Sequence, residues 1–113
     1  LRRCIDSARA CGSGVAARRV TDTIKVTDEH GRAVRTLDRD RPWATETPQV
    51  FRTEDLREAY RKALQAGQTP TDEAAAMESL GLPVHLVESL CPNPKVTQSR
   101  DFALVQALAG CLR

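Results

Sequence analysis

Two stretches of the chain place cationic side chains beside hydroxyl groups. The first spans residues 38–49 and contains Arg39 and Thr47, and the second spans residues 93–97 around Lys95. Cations and hydroxyl donors held together can stabilise negative charge. Both stretches are therefore candidate anion-binding sites.

No self-contained catalytic motif accompanies these stretches. No serine, cysteine or threonine lies in a nucleophile signature such as G-x-S-x-G. The glycines at positions 12 and 14 lack the later glycines and the Lys-Ser/Thr pair of a phosphate-binding loop. A hydrolase is therefore disfavoured, and we expect Gly12 to end a helix.

The cysteines and histidines do not form a metal-binding pattern. The chain has four cysteines without a C-x-x-C pair, and its two histidines, His30 and His85, lie far from them in sequence. We therefore expect no metal ligands in this chain. Cys4 and Cys11 lie on one face of a predicted first helix, which favours buried reduced thiols and a cytoplasmic compartment.

Composition and charge narrow the functional class. The 113 residues carry 17 basic and 15 acidic side chains, a net charge of +2, and only four aromatic residues. The nearly balanced charge predicts no electrostatic field strong enough to attract nucleic acid. The small number of aromatic residues predicts no base-stacking surface. No apolar run reaches the ~20 residues of a membrane span, so we expect a folded single domain with no nucleic-acid or membrane partner. The missing start methionine would be expected of a sequence cut from something longer, and processing of the chain is the alternative explanation.

The first half of the chain predicts a helix followed by a polar β-hairpin. The helix covers residues 1–11, and one extended strand is expected over residues 15–27. Turn residues 28–31 and a returning strand at 33–37 complete the hairpin. Because few apolar side chains remain to be buried between Asp22 and Gln49, we expect this hairpin to project and to grip a second subunit. A solvated edge hairpin is the alternative.

The second half alternates helices with short strands. A helix capped by Thr53 and ended by Gly67 is followed by a helix from Thr71 to Leu80. Strands are expected at 84–87 and 95–97, followed by a final helix. The apolar stripe of that final helix consists of Phe102, Val105, Leu108 and Leu112. This alternation predicts an α/β layer fold.

Five blocks carry a resemblance to a known family. They are Asp22-Thr23-Ile24-Lys25, Asp38-Arg39, Trp43-Ala44-x-x-Thr47-Pro48-Gln49, Thr71-Asp72-Glu73-Ala74 and Asn93-x-Lys95-Val96-Thr97. In this order they resemble the C-terminal half of 2-C-methyl-D-erythritol 4-phosphate cytidylyltransferases. The resemblance implies an α/β fold, the C-terminal half of a Rossmann-like nucleotidyltransferase domain with a projecting β-hairpin arm at about residues 20–47.

The resemblance also implies a reaction and its partners. The family transfers CMP from CTP to methylerythritol phosphate with Mg²⁺, and releases pyrophosphate in the non-mevalonate route to isoprenoids. Its glycine-rich CTP loop and its metal-holding aspartate belong to the N-terminal half, which these 113 residues do not contain. We therefore expect no measurable CTP binding and no activity from this chain alone.

Site residues follow from the same resemblance. Lys95 would contact the reacting phosphate, and Thr47 and Thr71 would line the methylerythritol phosphate site. Thr23 and Arg39 would cross to the other subunit of a homodimer and complete its site, so that Lys95 and Arg39 form the catalytic pair. Fixed cations and hydroxyls suit this reaction because negative charge accumulates on the phosphorus under attack.

Each of these residues also has a structural explanation. Arg39 could pair with a neighbouring aspartate, Thr71 could cap a helix, and Lys95 could protect an edge strand. Pro94 departs from the family pattern directly before the lysine. Alternative functions are a ribitol 5-phosphate cytidylyltransferase and a non-catalytic remnant that retains the dimerisation arm.

Overall fold

The computed structural model describes residues 1–111. In chain order its elements are α1 (Arg2–Cys11), β1 (Ser13–Arg19), β2 (Lys25–Thr27), β3 (Ala33–Thr36), β4 (Trp43–Phe51), α2 (Thr53–Gln65), α3 (Glu73–Ser79), β5 (Leu86–Glu88) and α4 (Asp101–Cys111). The predicted α/β class is confirmed. No helix among the described residues has the length and apolar character needed to cross a membrane.

The main sheet has three strands in the order β4-β1-β5. The central strand β1 runs antiparallel to β4 and parallel to β5. Residues 13–17 of β1 are all buried, as expected of a strand covered on both faces. This strand is the centre of the fold.

Helix α1 packs closely on the main sheet. It ends at Gly12, whose N–H bonds to the carbonyl oxygen of Ala8 and whose φ of 90° turns the chain out of the helix. A Cβ atom on Gly14 would overlap the carbonyl oxygen of Cys4, so only glycine permits this approach. Cys4 is buried as predicted, but the prediction for Cys11 is wrong, because Cys11 occupies the last turn of α1 and is exposed.

The single strand predicted over residues 15–27 is instead two strands in different sheets. Strand β1 stops at Arg19, and the N–H of Val20 bonds to the carbonyl oxygen of Pro42, where the chain leaves the main sheet. The short strands β2 and β3 then pair only with each other. Strand β4 belongs to the main sheet, so the segment outside that sheet covers residues 20–42 rather than 20–47. We call residues 20–42 the arm.

The arm is a largely exposed ribbon, as its polar sequence predicts. All four residues of β3 are exposed. At its tip, Asp28 accepts hydrogen bonds from the backbone N–H groups of His30 and Arg32 and from the Arg32 guanidinium, at 2.9–3.0 Å. These donors, led by the Arg32 backbone N–H, hold the pKa of Asp28 below its ordinary value. Its carboxylate therefore organises the turn of the hairpin.

The two middle helices pack around a small core of Ala59, Ala76 and Met77. Two predicted caps are displaced by one residue. Arg52 rather than Thr53 occupies the N-cap of α2 and makes no side-chain cap bond. Asp72 caps α3 by accepting from the N–H of Ala75, so the helix predicted from Thr71 begins at Glu73.

The C-terminal region departs most from the predicted elements. Strand β5 covers residues 86–88 rather than 84–87, and residues 95–97 form no strand. Pro94 has no N–H to donate, and the Asp101 carboxylate accepts from the N–H of Thr97 at 2.9 Å. Both features work against a strand ladder at residues 95–97. The hydrogen bonds from Thr97 and Gln98 also lower the pKa of Asp101.

The predicted apolar stripe of the final helix is only partly covered. Val105 and Leu108 are half-buried, whereas Phe102 remains 60% exposed. Leu112 lies outside the described residues. The final helix thus forms as its apolar spacing predicts, but Phe102, the first residue of the stripe, is not buried.

Candidate functional site

One groove of about 1190 Å³ contains three of the five predicted site residues, Thr47, Thr71 and Lys95. They come from β4, from the loop before α3 and from the loop before α4. The remaining lining residues are Arg18, Ala44, Thr45, Glu46, Gln49, Tyr60, Pro70, Asp72, Glu73, Pro92, Asn93, Pro94, Leu104 and Leu108. The tertiary fold therefore joins segments almost 50 residues apart in sequence.

A bulge in β4 shapes the floor of this groove. The strand pairing passes from Val15 opposite Gln49 to Ala17 opposite Thr45, so β4 advances four residues while β1 advances two. Residues 46–48 therefore leave the regular ladder, and the Thr47-Pro48 peptide bond is cis. A proline is tolerated here because a bulge does not require its N–H.

Gln49 connects the β4 floor to the loop that carries Thr71. Its amide nitrogen donates to the Asp72 carboxylate at 3.1 Å, and its amide oxygen accepts from the N–H of Ala74 at 3.1 Å. Asp72 also caps α3. The structural role assigned to Thr71 as a helix cap therefore belongs to Asp72, and the exposed Thr71 lies at the groove.

The segment that carries Lys95 is tied to the same bulge. Asn93 donates its side-chain amide to the carbonyl oxygen of Thr47 at 2.6 Å, and Ser89 donates its hydroxyl to Glu46 at 2.6 Å. Because residues 95–97 form no strand, the explanation of Lys95 as an edge-strand charge does not hold. Within residues 1–111, Lys95 forms no ion pair.

The groove mixes cations with carboxylates and one phenol. Arg18 pairs with Glu46 across 3.4 Å. Desolvation raises the pKa of Tyr60, and the negative charges of Glu73 and Asp72 raise it further. The phenol of Tyr60 therefore stays protonated at neutral pH and is available as a hydrogen-bond donor.

The other two predicted residues lie elsewhere. Thr23 and Arg39 line a separate pocket of about 130 Å³ at the base of the arm, and both are exposed. Within this chain the structure does not bring them to the groove. Their placement on a projecting arm agrees with the expectation that they act outside their own subunit, which stays a prediction.

Several groove residues were not singled out as site residues from the sequence. Gln49 and Asn93 were visible only as members of the blocks quoted above, and nothing in the sequence marked Glu46 or Tyr60. Helical spacing explained Tyr60 as a core position. Glu46 gave no signal because its partners come from other segments of the chain.

The acidic and thiol side chains of the described residues do not form a metal site. Within residues 1–111, no group of three or more His, Cys, Asp or Glu side chains converges to hold an ion. The described residues therefore do not fit a Mg²⁺ site by themselves.

Comparison with known proteins supplies the family. Residues 1–110 match the family described as IspD: 2-C-methyl-D-erythritol 4-phosphate cytidylyltransferase. Enzymes of that name from Syntrophus aciditrophicus and Cupriavidus pinatubonensis are 41% and 45% identical over 107 and 105 residues, covering 95% and 93% of this chain. Those matches cover 46% and 42% of the relatives, so the chain spans about half their length.

The fold agrees with this sequence match. The solved 2-C-methyl-D-erythritol 4-phosphate cytidylyltransferase from Thermus thermophilus superposes with a TM-score of 0.81 at 33% identity, covering 96% of this chain and 53% of that one. Together with the groove built from the quoted blocks, these matches show that the chain belongs to the 2-C-methyl-D-erythritol 4-phosphate cytidylyltransferase family.

Proposed function

We propose that this chain forms the polyol-phosphate side of a cytidylyltransferase that transfers CMP from CTP to 2-C-methyl-D-erythritol 4-phosphate. The observation that carries the proposal is the groove, which gathers Thr47, Thr71 and Lys95 in a member of this family. A cation that forms no ion pair is available to a substrate phosphate, and Lys95 has no ion-pair partner within residues 1–111.

The proposed chemistry is an in-line displacement. An oxygen of the methylerythritol phosphate forms a bond to the α-phosphorus of CTP, while the bond to the leaving pyrophosphate breaks. Lys95 holds the attacking phosphate and offsets its charge, and the hydroxyls of Thr47 and Thr71 orient the polyol phosphate. Mg²⁺, which the family resemblance implies, would be held by residues outside positions 1–111 and would supply further charge neutralisation.

We further propose a homodimer in which Thr23 and Arg39 of one arm complete the groove of the other subunit. The exposed arm, and the location of Thr23 and Arg39 at a pocket separate from the groove, support this arrangement. The free Cys4, Cys11 and Cys91 support a cytoplasmic location, where thiols stay reduced.

The function is tested in an enzyme of full family length. This chain replaces the corresponding segment of the Syntrophus relative, and pyrophosphate release from CTP is measured with methylerythritol phosphate and with ribitol 5-phosphate. We expect turnover with methylerythritol phosphate to predominate, and Lys95→Ala to lower kcat/KM by about 100-fold. Lys62→Ala, which removes an exposed cation from α2, is the matched control.

Two results would contradict the proposal. One is a preference for ribitol 5-phosphate. The other is turnover with neither substrate in a chimera whose circular dichroism and thermal transition show a folded protein.

A further inference from the structure

Glu46 is an unusually buried carboxylate for the wall of an anion-binding groove. Its side chain is only 10% exposed and lies beside Thr47 in the β4 bulge. Acidic side chains are rarely buried this far unless they are paired. Its contacts therefore indicate what it does.

The shortest of these contacts joins the β4 bulge to the end of β5. Glu46 Oε2 accepts from the Ser89 hydroxyl at 2.6 Å, a distance typical of a charge-assisted hydrogen bond. Ser89 is itself anchored, because its backbone N–H donates to the carbonyl oxygen of Ala17 at 2.8 Å. Glu46 thus reaches past β1 to hold the start of the segment that leads to Lys95.

A second contact holds the same segment closer to the lysine. The Asn93 amide donates to the carbonyl oxygen of Thr47 at 2.6 Å and lies 3.4 Å from Glu46 Oε2. The segment 89–95 is therefore attached to the bulge at two points. One of these points depends on the Glu46 carboxylate.

The charge of Glu46 is balanced within the groove. Arg18 lies 3.4 Å from Glu46 Oε1 and also lines the groove. This pairing reduces the repulsion that a lone carboxylate would exert on a phosphate ligand. Arg18 is thus paired through its Nε, whereas Lys95 forms no ion pair within residues 1–111.

We propose that Glu46 is a positioning residue, which fixes the segment 89–95 against the β4 bulge so that Lys95 and Thr47 face one groove. Glu46 acts through Ser89 and does not touch the substrate. The ligand in the test below rests on the proposed function, whereas the placement of the segment does not.

The test compares Glu46→Ala, Ser89→Ala and the double variant in the 113-residue chain. Nuclear magnetic resonance relaxation of the backbone amides at positions 91, 93, 95 and 96 is measured without ligand, and methylerythritol phosphate is then titrated. Glu46→Gln keeps an acceptor oxygen for Ser89 and should restore most of the parental behaviour. Glu78→Gln, an exposed carboxylate on α3, is the matched control.

We expect faster motion of these amides and about tenfold weaker binding in each single alanine variant, with no further loss in the double variant. Removal of a negative charge would by itself strengthen anion binding, so weaker binding reports lost positioning. Unchanged relaxation in Glu46→Ala, additive losses, or tighter binding would overturn the proposal. If the parent chain does not bind methylerythritol phosphate, the proposed function fails, and the ligand-free relaxation still decides the role of Glu46.

Discussion

Tyr60 provides the only phenol of the chain, and it lies in the groove beside two carboxylates. Desolvation is the largest cause of its raised pKa, followed by the charges of Glu73 and Asp72. A raised pKa keeps the phenol neutral and able to donate a hydrogen bond in the physiological range. The same residue also packs against the core of α2 and α3, so one side chain serves both the fold and the groove.

The raised pKa of Tyr60 predicts an alkaline titration above the ordinary value of 10.0. Absorbance at 295 nm measures it directly because the chain has one tyrosine. Glu73→Gln should move the midpoint downward, whereas Glu78→Gln should not. Because the folded pKa exceeds the unfolded one, the stability linked to Tyr60 is complete below about pH 10 and is lost as the pH rises through the folded pKa. A midpoint at or below the ordinary value would contradict this electrostatic description.

At the scale of elements, the contact between α1 and β1 sets the position of the central strand. The helix approaches the strand so closely that a single methyl group on Gly14 would overlap the backbone of Cys4. Backbone atoms cannot swing aside as the end of a flexible side chain can. Every strand of the main sheet depends on this contact, because β4 and β5 both pair with β1.

Gly14→Ala should therefore destabilise the chain by roughly 1–3 kcal/mol or more. Urea unfolding followed by circular dichroism measures the change in midpoint. Gly110→Ala is the matched control, since among residues 1–111 no atom beyond the helix's own backbone and the neighbouring residues lies within 4 Å of a Cβ there. Alanine also favours a helix over glycine. Equal midpoints for the parent and Gly14→Ala would show that α1 does not approach β1 this closely.

At the scale of the whole molecule, the contacts within a single chain do not explain how the exposed arm is held in place. Its two strands bury little against the main sheet, and a two-stranded ribbon is only marginally stable in water. Arg19, stacked 4.7 Å above Trp43, marks the point where the arm leaves the sheet. A partner subunit that receives the arm would account for its exposure and for the location of Arg39.

The crossed-arm proposal predicts complementation between two inactive variants of the full-length chimera. Arg39→Ala removes the arm contribution and Lys95→Ala removes the groove contribution, so each homodimer should lose activity. In a hybrid dimer, one of the two sites receives an intact arm and an intact groove. Random mixing should therefore restore on the order of one quarter of the parental activity.

The expected recovery of activity is tested by refolding the two variants together and measuring pyrophosphate release. Mixing the folded homodimers without exchange of subunits is the control. No recovery in hybrid dimers isolated by two affinity tags would show that each arm serves its own subunit.

Local patterns in the sequence determined most of the helices and the tip of the arm. The periodicity of α2, the glycine that ends α1 and the turn residues after Asp28 act over a few neighbouring residues, so they can be read without a fold. The bounds of the strands depended instead on which strands pair with each other in the folded chain. Residues 15–27 have strand-forming types throughout, yet β1 and β2 separate because only β1 has neighbours in the main sheet.

The candidate site also has features that the sequence showed and features that only the folded structure showed. Ordered blocks of residues identified the family and pointed to Thr47, Thr71 and Lys95, because residue types and their order are properties of the chain. The sequence could not show that these three share a groove or that Asp72 takes the cap. It also held no sign of Glu46, whose burial and contacts exist only once β4, β1 and the segment after β5 lie side by side. Such contacts between distant segments form only in the folded chain, and for that reason only the tertiary structure decided them.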